Sequence, residues 1–389
     1  MTHRVYLDWN ASAPLRAEAR AALAAALEMA GNSSSVHDEG RAARAVVEQA
    51  REQVAALVDA DPRNVVFTSG GTEANALALT PLIETGSEKR PFDRLLSSAI
   101  EHPSVRAGGR FAAHAVEEIP VHASGVVDIA ALERMLGSGS RALVSIMAAN
   151  NETGVIQPVV DAAGIVHRHG GLLHVDAVQA AGRMPLDIDT LGADLLTLSA
   201  HKLGGAKGAG ALVKRGEALH FPDPLIKGGG QERGLRAGTE NVAAIAAFGA
   251  AAASAKANLA AEVRYVAALR ERLETGLRAL TPDAVIFGAE AERLSNTTLV
   301  AMPGGKAETL VIGFDLDGIA VSSGSACSSG KVGPSHVLAA MGVPGELARG
   351  AIRVSTGPAT TEADIERFLI VWQKLVKSLS NGMKRGLAA

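Results

Sequence analysis

The only cysteine of the 389-residue chain, Cys327, lies in a run of serine and glycine with the sequence SSGSACSSG at residues 322–330. A structural cysteine behaves as a small hydrophobic residue and normally has apolar neighbours on one face of a helix or strand. Serine and glycine at this density are typical of a solvated loop, where the reactivity of a thiol matters more than its packing. The sequence therefore predicts an exposed, reactive thiol at Cys327, with an inert buried cysteine as the alternative.

Further polar groups follow apolar runs that predict buried strands. Lys202 follows the run LLTLSA, with Ser199 and His201 beside it, and the run LLHVDAVQ contains Asp176 and Gln179. In open α/β sheets, ligands bind at the carboxyl ends of strands, so we expect these side chains at one edge. The alternatives are a solvated lysine and an aspartate that caps a helix or binds a metal. Metal binding is disfavoured because no other carboxylate or histidine has ligand spacing with the aspartate.

Three more strand ends complete a possible cofactor site. FTSGGTEAN predicts a strand, a glycine turn and a helix start with Gly71 and Thr72, whose free N–H groups would suit a phosphate. NNETG ends another strand with Asn151, and EHPS ends a further one with His102, which could stack on a ring, move protons or be a satisfied core histidine. A phosphate cradle, an imine-forming lysine and a buried aspartate are together what pyridoxal phosphate requires.

The elements that must position these residues follow from the apolar pattern. Apolar runs of four to eight residues alternate with amphipathic stretches from residue 65 to residue 215, which predicts a mostly parallel sheet covered by helices on both faces. Residues 241–280 lack proline and have helical spacing, which predicts one or two long helices that lead to a second domain. In that domain we predict strands at AVIFG, NTTLVAMP, GIAVSSGSAC and AIRVSTG, and helices near 307–315, 334–341 and 361–378.

The composition indicates a globular protein with a large core. Hydrophobic residues make up 47% and charged residues 20%, and the formal net charge is −3. The small net charge disfavours nucleic acid as a partner, and a lone cysteine excludes an intramolecular disulfide. The sequence shows no leader-like pattern and no uninterrupted apolar run long enough to cross a bilayer. We therefore predict a cytoplasmic protein without membrane association.

The order of motifs along nearly the whole chain resembles the cysteine desulfurases of the branch that serves iron–sulfur cluster and nitrogenase assembly. These are fold-type I pyridoxal phosphate enzymes of the class-V aminotransferase family. The resemblance rests on YLDWNASAP, GNSSSVH, FTSGGTEAN, EHPS, NNETGVIQP, HVDAVQAAG, SAHKLGGAKG, GGGQERGLRAGTEN, SSGSACSSG with PSHVL, and AIRVSTG. It implies an α/β fold whose large cofactor domain, residues 15–255, contains a mostly parallel seven-stranded sheet. A smaller α+β domain would combine residues 1–14 and 256–389 and include a mobile catalytic loop at about 322–333.

The resemblance also implies a role for each site residue. Lys202 would bind pyridoxal phosphate as a Schiff base, Asp176 would pair with its ring nitrogen, and Gln179 would bond its ring hydroxyl. His102 would stack on the ring and act in catalysis. The implied cofactor contacts also include Gly71, Thr72, Asn151, Ser199 and His201, and Thr239 would reach the phosphate of the neighbouring subunit in a homodimer. Contacts to the substrate L-cysteine are implied for Asn32, Asn151 and Arg353.

The implied reaction removes sulfur from L-cysteine. The Cys327 thiolate would attack the substrate sulfur, alanine would leave, and a persulfide would stay on Cys327 for an acceptor such as an iron–sulfur scaffold protein. The alternatives are a selenocysteine lyase, a thiol-free aminotransferase or lyase, and a non-catalytic scaffold or sulfur carrier. Cys327 argues against the thiol-free enzymes, in which it would have no role, and the intact Lys202, Asp176 and His102 argue against a decayed site.

The chain departs from the family pattern at a few positions. KVG at residues 331–333 stands where relatives commonly have serine, leucine and glutamate, and Trp9 and Ala13 stand where smaller or hydroxylated residues are frequent. None of these positions has an assigned chemical role. We expect residues 331–333 to affect partner docking rather than bond breaking.

Overall fold

The computed structural model describes residues 4–86, 88–137, 139–324 and 335–386, with side chains as far as residue 378. Cys327 and the KVG segment lie outside the described residues. The strands are β1 (Val5–Tyr6), β2 (Val65–Thr68), β3 (Glu84–Thr85), β4 (Arg94–Ser98), β5 (Val116–Ile119), β6 (Ala142–Met147), β7 (Leu172–Asp176), β8 (Leu195–Ser199), β9 (Gly210–Lys214), β10 (Leu219–His220), β11 (Val285–Ile286), β12 (Thr297–Ala301), β13 (Ile319–Ala320), β14 (Ser322–Ser323) and β15 (Ala351–Ser355).

The α-helices of the described ranges are α1 (Ala17–Leu27), α2 (Asp38–Leu57), α3 (Gly71–Ala78), α4 (Pro103–Arg106), α5 (Ile129–Leu136), α6 (Val159–Arg168), α7 (Ile188–Leu191), α8 (Val242–Leu280), α9 (Ala307–Leu316), α10 (His336–Ala340), α11 (Gly345–Ala348) and α12 (Glu362–Gly386). Short 3-10 helices cover Pro62–Asn64, Ala113–Ala115, Ala200–Lys202 and Gln231–Gly234.

The central sheet has seven strands in the order β2-β9-β8-β7-β6-β4-β5. β9 pairs antiparallel with β2 and β8, and the remaining pairs are parallel. The predicted α/β fold with a mostly parallel seven-stranded sheet is therefore confirmed. The parallel strands place their carboxyl ends at one edge, which is where a ligand would bind.

Both faces of this sheet are buried, which explains why its strands are continuously apolar. On β6, Leu143 packs in a cluster with Leu77 and Leu95, whereas its neighbour Val144 packs in the opposite cluster with Val54 and Phe248. Successive side chains of a strand point to opposite faces, so each strand supplies both clusters. The sheet is thus a rigid middle layer from which the site residues project.

One helix joins this core to a second one. The 39-residue α8 begins at the Asn241 cap, whose side chain accepts a hydrogen bond from the Ala244 N–H at 3.1 Å. Phe248 packs against the central sheet, whereas Leu273 packs in a cluster with Leu7 and Trp372. The sequence predicted one or two helices here, and the structure has one. The predicted domain boundary after residue 255 falls within this helix and stays a prediction.

By length and composition, α8 could cross a membrane, but 56% of its most apolar stretch is buried inside the fold. Core helices of soluble proteins meet the same criteria, so this is weak evidence for a membrane span.

The second core lies around a four-stranded antiparallel sheet with the order β11-β12-β15-β14. The predicted strand GIAVSSGSAC forms β13 and β14, two short strands in different sheets. The N-terminal β1 pairs with β13 in parallel, with Val5 opposite Ile319. The start of the chain therefore packs with its last third. Elements that the sequence analysis did not predict include α1, α2, α5, β5 and the small β3–β10 pair.

Gly249 provides a test of the contact between α8 and α2. A methyl group added at Gly249 would lie 2.5 Å from Ala50 Cα, closer than any normal contact. Alanine favours a helix over glycine by about 1 kcal/mol, but the overlap costs more. Gly249→Ala should therefore lower the free energy of unfolding by about 1–3 kcal/mol in urea titrations.

Gly164 on the exposed side of α6 is the matched control. The nearest atom to an added methyl group there is Arg168 Nη1, at 3.7 Å. Gly164→Ala should raise the free energy of unfolding by about 0.5–1 kcal/mol. Similar stabilisation by both substitutions would show that the helix contact is loose.

Candidate active site

A cavity of about 200 Å³ opens at the carboxyl edge of the central sheet. Its walls come from the segments that follow β2, β4, β6, β7 and β8. It is lined by Gly71, Thr72, Asn75, His102, Ser104, Met147, Ala149, Asn151, Asp176, Val178, Gln179, Ser199, His201 and Lys202. The structure thus brings together the predicted residues between 71 and 202. Of the other predicted residues, Asn32, Thr239 and Arg353 lie outside this lining, and Cys327 lies outside the described residues.

The Lys202 amine is held at this edge by carbonyl groups of the N-terminal segment. Nζ donates to Asn10 O at 2.5 Å and to Ala11 O at 3.0 Å. The 3-10 turn Ala200–Lys202 directly follows β8 and aims the side chain across the edge of the sheet. Because both acceptors are uncharged carbonyls, they orient the amine without forming a salt bridge.

The Asp176 carboxylate is fixed at the end of β7. Oδ2 accepts from Asn75 Nδ2 at 2.8 Å, and Oδ1 accepts from the Val178 N–H at 3.0 Å. Asn75 also donates to Ser104 Oγ at 3.0 Å, and so links the aspartate to the His102 loop. The sequence analysis missed Asn75, although it follows Thr72 by three residues on α3 and helical spacing could have identified it.

His102 is the N-cap of α4, and its side chain accepts from the Ser104 N–H at 3.2 Å through Nδ1. Since Nδ1 is an acceptor, a neutral ring carries its proton on Nε2. Burial lowers the pKa of His102, and the Lys202 charge adds to this effect, whereas Asp176 opposes it. His102 is therefore a neutral imidazole at neutral pH, able to accept a proton.

The part of the cavity lining that includes Gly71, Ser199 and His201 is suited to an anion. Burial lowers the pKa of His201 to about 4, with a further contribution from the Lys202 charge. A methyl group on Gly71 would lie 2.9 Å from Val178 Cγ2 and 3.4 Å from Ser199 Cβ, so glycine keeps this space open at the start of α3. The helix start directs N–H groups toward the space.

Arg353 is buried on β15, with 1% of its surface exposed, and does not line the described cavity. Nη1 donates to Asn151 O at 2.9 Å, and Nη2 forms an ion pair with Asp8 Oδ1 at 2.9 Å. Nε has no hydrogen-bond partner among the described residues. The guanidinium thus already holds one carboxylate, and its predicted contact with a substrate carboxylate stays a prediction.

The remaining predicted residues lie farther away. Asn32 is exposed in the loop before α2, where its Oδ1 accepts from the Ser34 N–H at 2.9 Å. Thr239 is exposed in a separate cleft of about 170 Å³, whose walls include Glu232 and Arg236. The structure therefore does not bring either residue to the cavity of its own chain.

Asn10 is a further site residue that the sequence analysis missed, and it has hydrogen-bond partners in several parts of the chain. Its Nδ2 donates to Thr297 Oγ1 at 2.9 Å and to Asn151 O at 3.2 Å, and its own carbonyl accepts from Lys202 and Gln179. The residue is 1% exposed. Its partners lie far away in the sequence, so the motif WNASAP gave no signal for this role beyond its position near the start.

His174 occupies the sheet two residues before Asp176 and has no exposed surface. Nδ1 lies 2.8 Å from Ser145 Oγ, and Nε2 lies 2.9 Å from Thr197 Oγ1, so both ring nitrogens have partners on the adjacent strands. Burial lowers the pKa of His174 to about 4, although the Asp176 charge opposes this effect. His174 is thus a neutral structural residue beneath the site.

The polar groups of the cavity fit pyridoxal phosphate. Lys202 offers an amine for an aldehyde, Asp176 offers a fixed carboxylate for a ring nitrogen, and Gln179 offers an amide for a ring hydroxyl. The space at Gly71 and the adjacent helix start suit a phosphate.

Comparisons with known proteins agree with this fit. The family model described as aminotransferase class-V matches residues 5–368. The chain is 44% identical over 382 residues to a cysteine desulfurase of Cereibacter sphaeroides, covering 97% of this chain and 96% of the relative. It is 39% identical over 384 residues to the cysteine desulfurase IscS of Dictyoglomus turgidum, with coverage of 97% and 96%. A solved NifS-like protein from Rickettsia africae has a TM-score of 0.86 at 35% identity and covers 96% of this chain and 100% of its own.

The buried His174 predicts a specific loss of stability in acid. Between pH 6.5 and pH 4 the unfolded chain binds the proton and the folded chain does not, so stability falls as the pH is lowered. This group alone should make the protein about 2 kcal/mol less stable at pH 5 than at pH 8. His174→Gln should remove that part of the pH dependence in urea titrations, whereas His114→Gln, at an exposed position, should retain it. Parallel pH profiles for wild type and His174→Gln would contradict this assignment.

Proposed function

The chain belongs to the class-V aminotransferase family, and on that premise we propose that it is a pyridoxal phosphate-dependent cysteine desulfurase. It takes sulfur from L-cysteine, releases L-alanine and leaves a persulfide on Cys327. Similarity to cysteine desulfurases over nearly the whole chain supports this proposal. The observation on which it rests is the cavity that combines the Lys202 amine, the Asp176 carboxylate and the neutral His102 ring.

Different side chains of the large domain would bind and orient different parts of the cofactor. Lys202 would hold the aldehyde through its amine, Gln179 the ring hydroxyl, and Asp176 the ring nitrogen in its protonated form. The chemistry that bound pyridoxal phosphate supplies is an electron-accepting ring, which weakens the carbon–sulfur bond of the substrate. Asn75 and the Val178 N–H keep the aspartate in place for this task.

In the proposed reaction, His102 accepts a proton and Cys327 attacks the substrate sulfur. A neutral His102 can accept a proton from a thiol, which supplies the thiolate that sulfur chemistry requires. The Cys327 thiolate attacks the substrate sulfur, so a sulfur–sulfur bond forms while the carbon–sulfur bond breaks. The bonding electrons pass to the carbon of the departing alanine unit, which takes up a proton before release.

The proposal includes a cytoplasmic homodimer. Thr239 is exposed and lies outside the cavity of its own chain, which supports a contact with the cofactor phosphate of a partner subunit. The persulfide then passes to an acceptor protein, and an iron–sulfur scaffold is the acceptor that the IscS-named relative favours.

The decisive experiment is a single turnover of the cofactor-loaded protein with L-cysteine, followed by intact-mass analysis before and after a thiol reductant. A gain of one sulfur atom that the reductant removes, mapped to Cys327, should accompany an equal amount of alanine. Cys327→Ala should keep the cofactor absorbance but form no persulfide, because the thiol does not bind the cofactor. Sulfide production by Cys327→Ala at the wild-type rate would refute the assigned role.

Lys202→Ala should abolish steady turnover, because no other amine in the described cavity lining can bind and release the cofactor aldehyde. We expect loss of the bound cofactor or a permanent complex with substrate, both visible in the absorbance spectrum. Lys207→Ala is the matched control, since this exposed lysine lies five residues farther along the same loop. Normal turnover by Lys202→Ala would show that the cofactor binds elsewhere.

A further inference from the structure

Glu152 is a buried carboxyl that the proposed reaction does not use. It follows β6 in the motif NNETG, one residue after the cavity residue Asn151, and only 3% of its surface is exposed. Ser335 is also buried, with 4% of its surface exposed, and its Oγ donates a hydrogen bond to Glu152 Oε2 at 2.5 Å. A buried hydrogen bond to a carboxylate is costly to break, because it leaves an unpaired polar group.

The main chain of Gly324 lies near the same oxygen, although its N–H donates to Ala351 O at 3.1 Å. A methyl group added at Gly324 would lie 3.5 Å from Glu152 Oε2, so the main chain at this glycine passes close to the carboxyl. Gly324 follows β14, which pairs with β15 so that Ser322 lies opposite Arg353. Gly324 and Ser335 are the described residues on either side of residues 325–334, and Cys327 lies between them in the sequence.

Neighbouring contacts reinforce this arrangement. Ser335 Oγ also accepts from the Leu338 N–H at 3.1 Å and so caps α10, and His336 Nε2 lies 2.9 Å from Glu101 O. The start of α10 is therefore bound to the loops that follow β4 and β6, the same loops that supply His102 and Asn151 to the cavity. The position of Ser335 is thus tied to the site.

We propose that Glu152 is a positioning residue that, through Ser335, fixes the start of α10 beside the loops that supply His102 and Asn151, and so limits where Cys327 can reach during sulfur transfer. The inference rests on the proposed function. It adds a residue that lies outside the cavity lining and acts only through Ser335, which follows the segment that contains the thiol.

The charge of Glu152 makes this anchor dependent on pH. Burial raises the pKa of Glu152 to about 7, whereas the Ser335 hydrogen bond and the positive charge of Arg353 on β15 oppose that rise. Above this pH the carboxylate is ionised and forms a stronger, charge-assisted bond with Ser335. The anchor should therefore tighten as the pH rises through 7.

Limited proteolysis tests the anchor without any turnover. Trypsin cleaves after Lys331, which lies between Gly324 and Ser335 in the sequence, and mass spectrometry follows the cut. Glu152→Gln and Ser335→Ala should each accelerate this cleavage at least about threefold, because the start of α10 is less restrained. Ser335→Thr, which keeps the hydroxyl, should restore the wild-type rate. Equal rates in wild type, Glu152→Gln and Ser335→Ala would overturn the proposal.

The same variants are then compared in single-turnover persulfide formation. Glu152→Gln and Ser335→Ala should each slow sulfur transfer by about tenfold, and the double variant should be no more than about twofold slower than either, because both remove one interaction. The cofactor spectrum and the concentration dependence on L-cysteine should not change. The ratio of the wild-type rate to the Glu152→Gln rate should increase as the pH rises through 7. Because the same thiol titrates in both proteins, its titration does not change this ratio.

Thr298→Val is the matched control. Thr298 Oγ1 donates to Glu274 Oε1 at 3.0 Å in a buried pair that, within the described part of the chain, shares no hydrogen-bond partner with Glu152 or Ser335. Breaking it should lower stability without changing cleavage after Lys331 or sulfur transfer. Persulfide formation at the same rate in wild type, Glu152→Gln and Ser335→Ala would overturn the anchor alone. Absence of persulfide in wild type would overturn the proposed function, and the anchor with it.

Discussion

The site depends on one buried asparagine that joins three distant parts of the chain. The Asn10 carbonyl accepts from Lys202 and Gln179, its amide donates to Asn151 O and Thr297 Oγ1, and its Oδ1 accepts from Asn296 Nδ2 at 2.9 Å. Each of these groups is buried or nearly so, where an unmade hydrogen bond costs about 1–3 kcal/mol. The network therefore has one satisfactory arrangement, and that arrangement places the lysine amine beside the sheet.

Burial sets the charges around the cavity as much as the residue types do. It lowers the pKa of His102 and His201 and so keeps both rings neutral. It also raises the pKa of Glu101 well above the usual range, an effect increased by the negative charge of Asp176. The Asp176 carboxyl group receives hydrogen bonds from Asn75 and Val178 and can serve the cofactor, whereas burial favours the uncharged form of Glu101.

The sequence predicted the parts of the site that have local signals. Lys202, Asp176 and His102 each follow an apolar strand, and the topology of a parallel sheet necessarily gathers such residues at one edge. Asn10 and Glu152 have no such signal, because their roles come from partners far away in the sequence, up to 345 residues away in the case of the Asn10 N–H and Ser355 Oγ. The same difference applies to the elements of the fold. The sequence predicts the buried parallel strands, but it does not predict the more exposed edge strand β5 or the helices α1 and α2.

The predicted role of Arg353 illustrates the same difference. Its type suited a substrate carboxylate, yet no local pattern indicated that Asp8, from the opposite end of the chain, already forms an ion pair with it. Pairing of this kind depends on the parallel contact between β1 and β13 and on the bridge between Asp8 and Ser355. These contacts exist only in the assembled fold.

The contacts of the N-terminal segment with residues beyond 295 determine when the site can form during protein synthesis. The ribosome releases the N-terminal segment first, but β1 pairs with a strand more than 300 residues later, and Asn10 needs Asn296 and Ser355 as partners. The sheet and α8 can fold on an incomplete nascent chain, since domains form in order as they emerge. Asn10 can complete its hydrogen bonds only after residue 355 has left the exit tunnel, so a truncated translation product contains the lysine without the full set of contacts that fix Asn10 beside it.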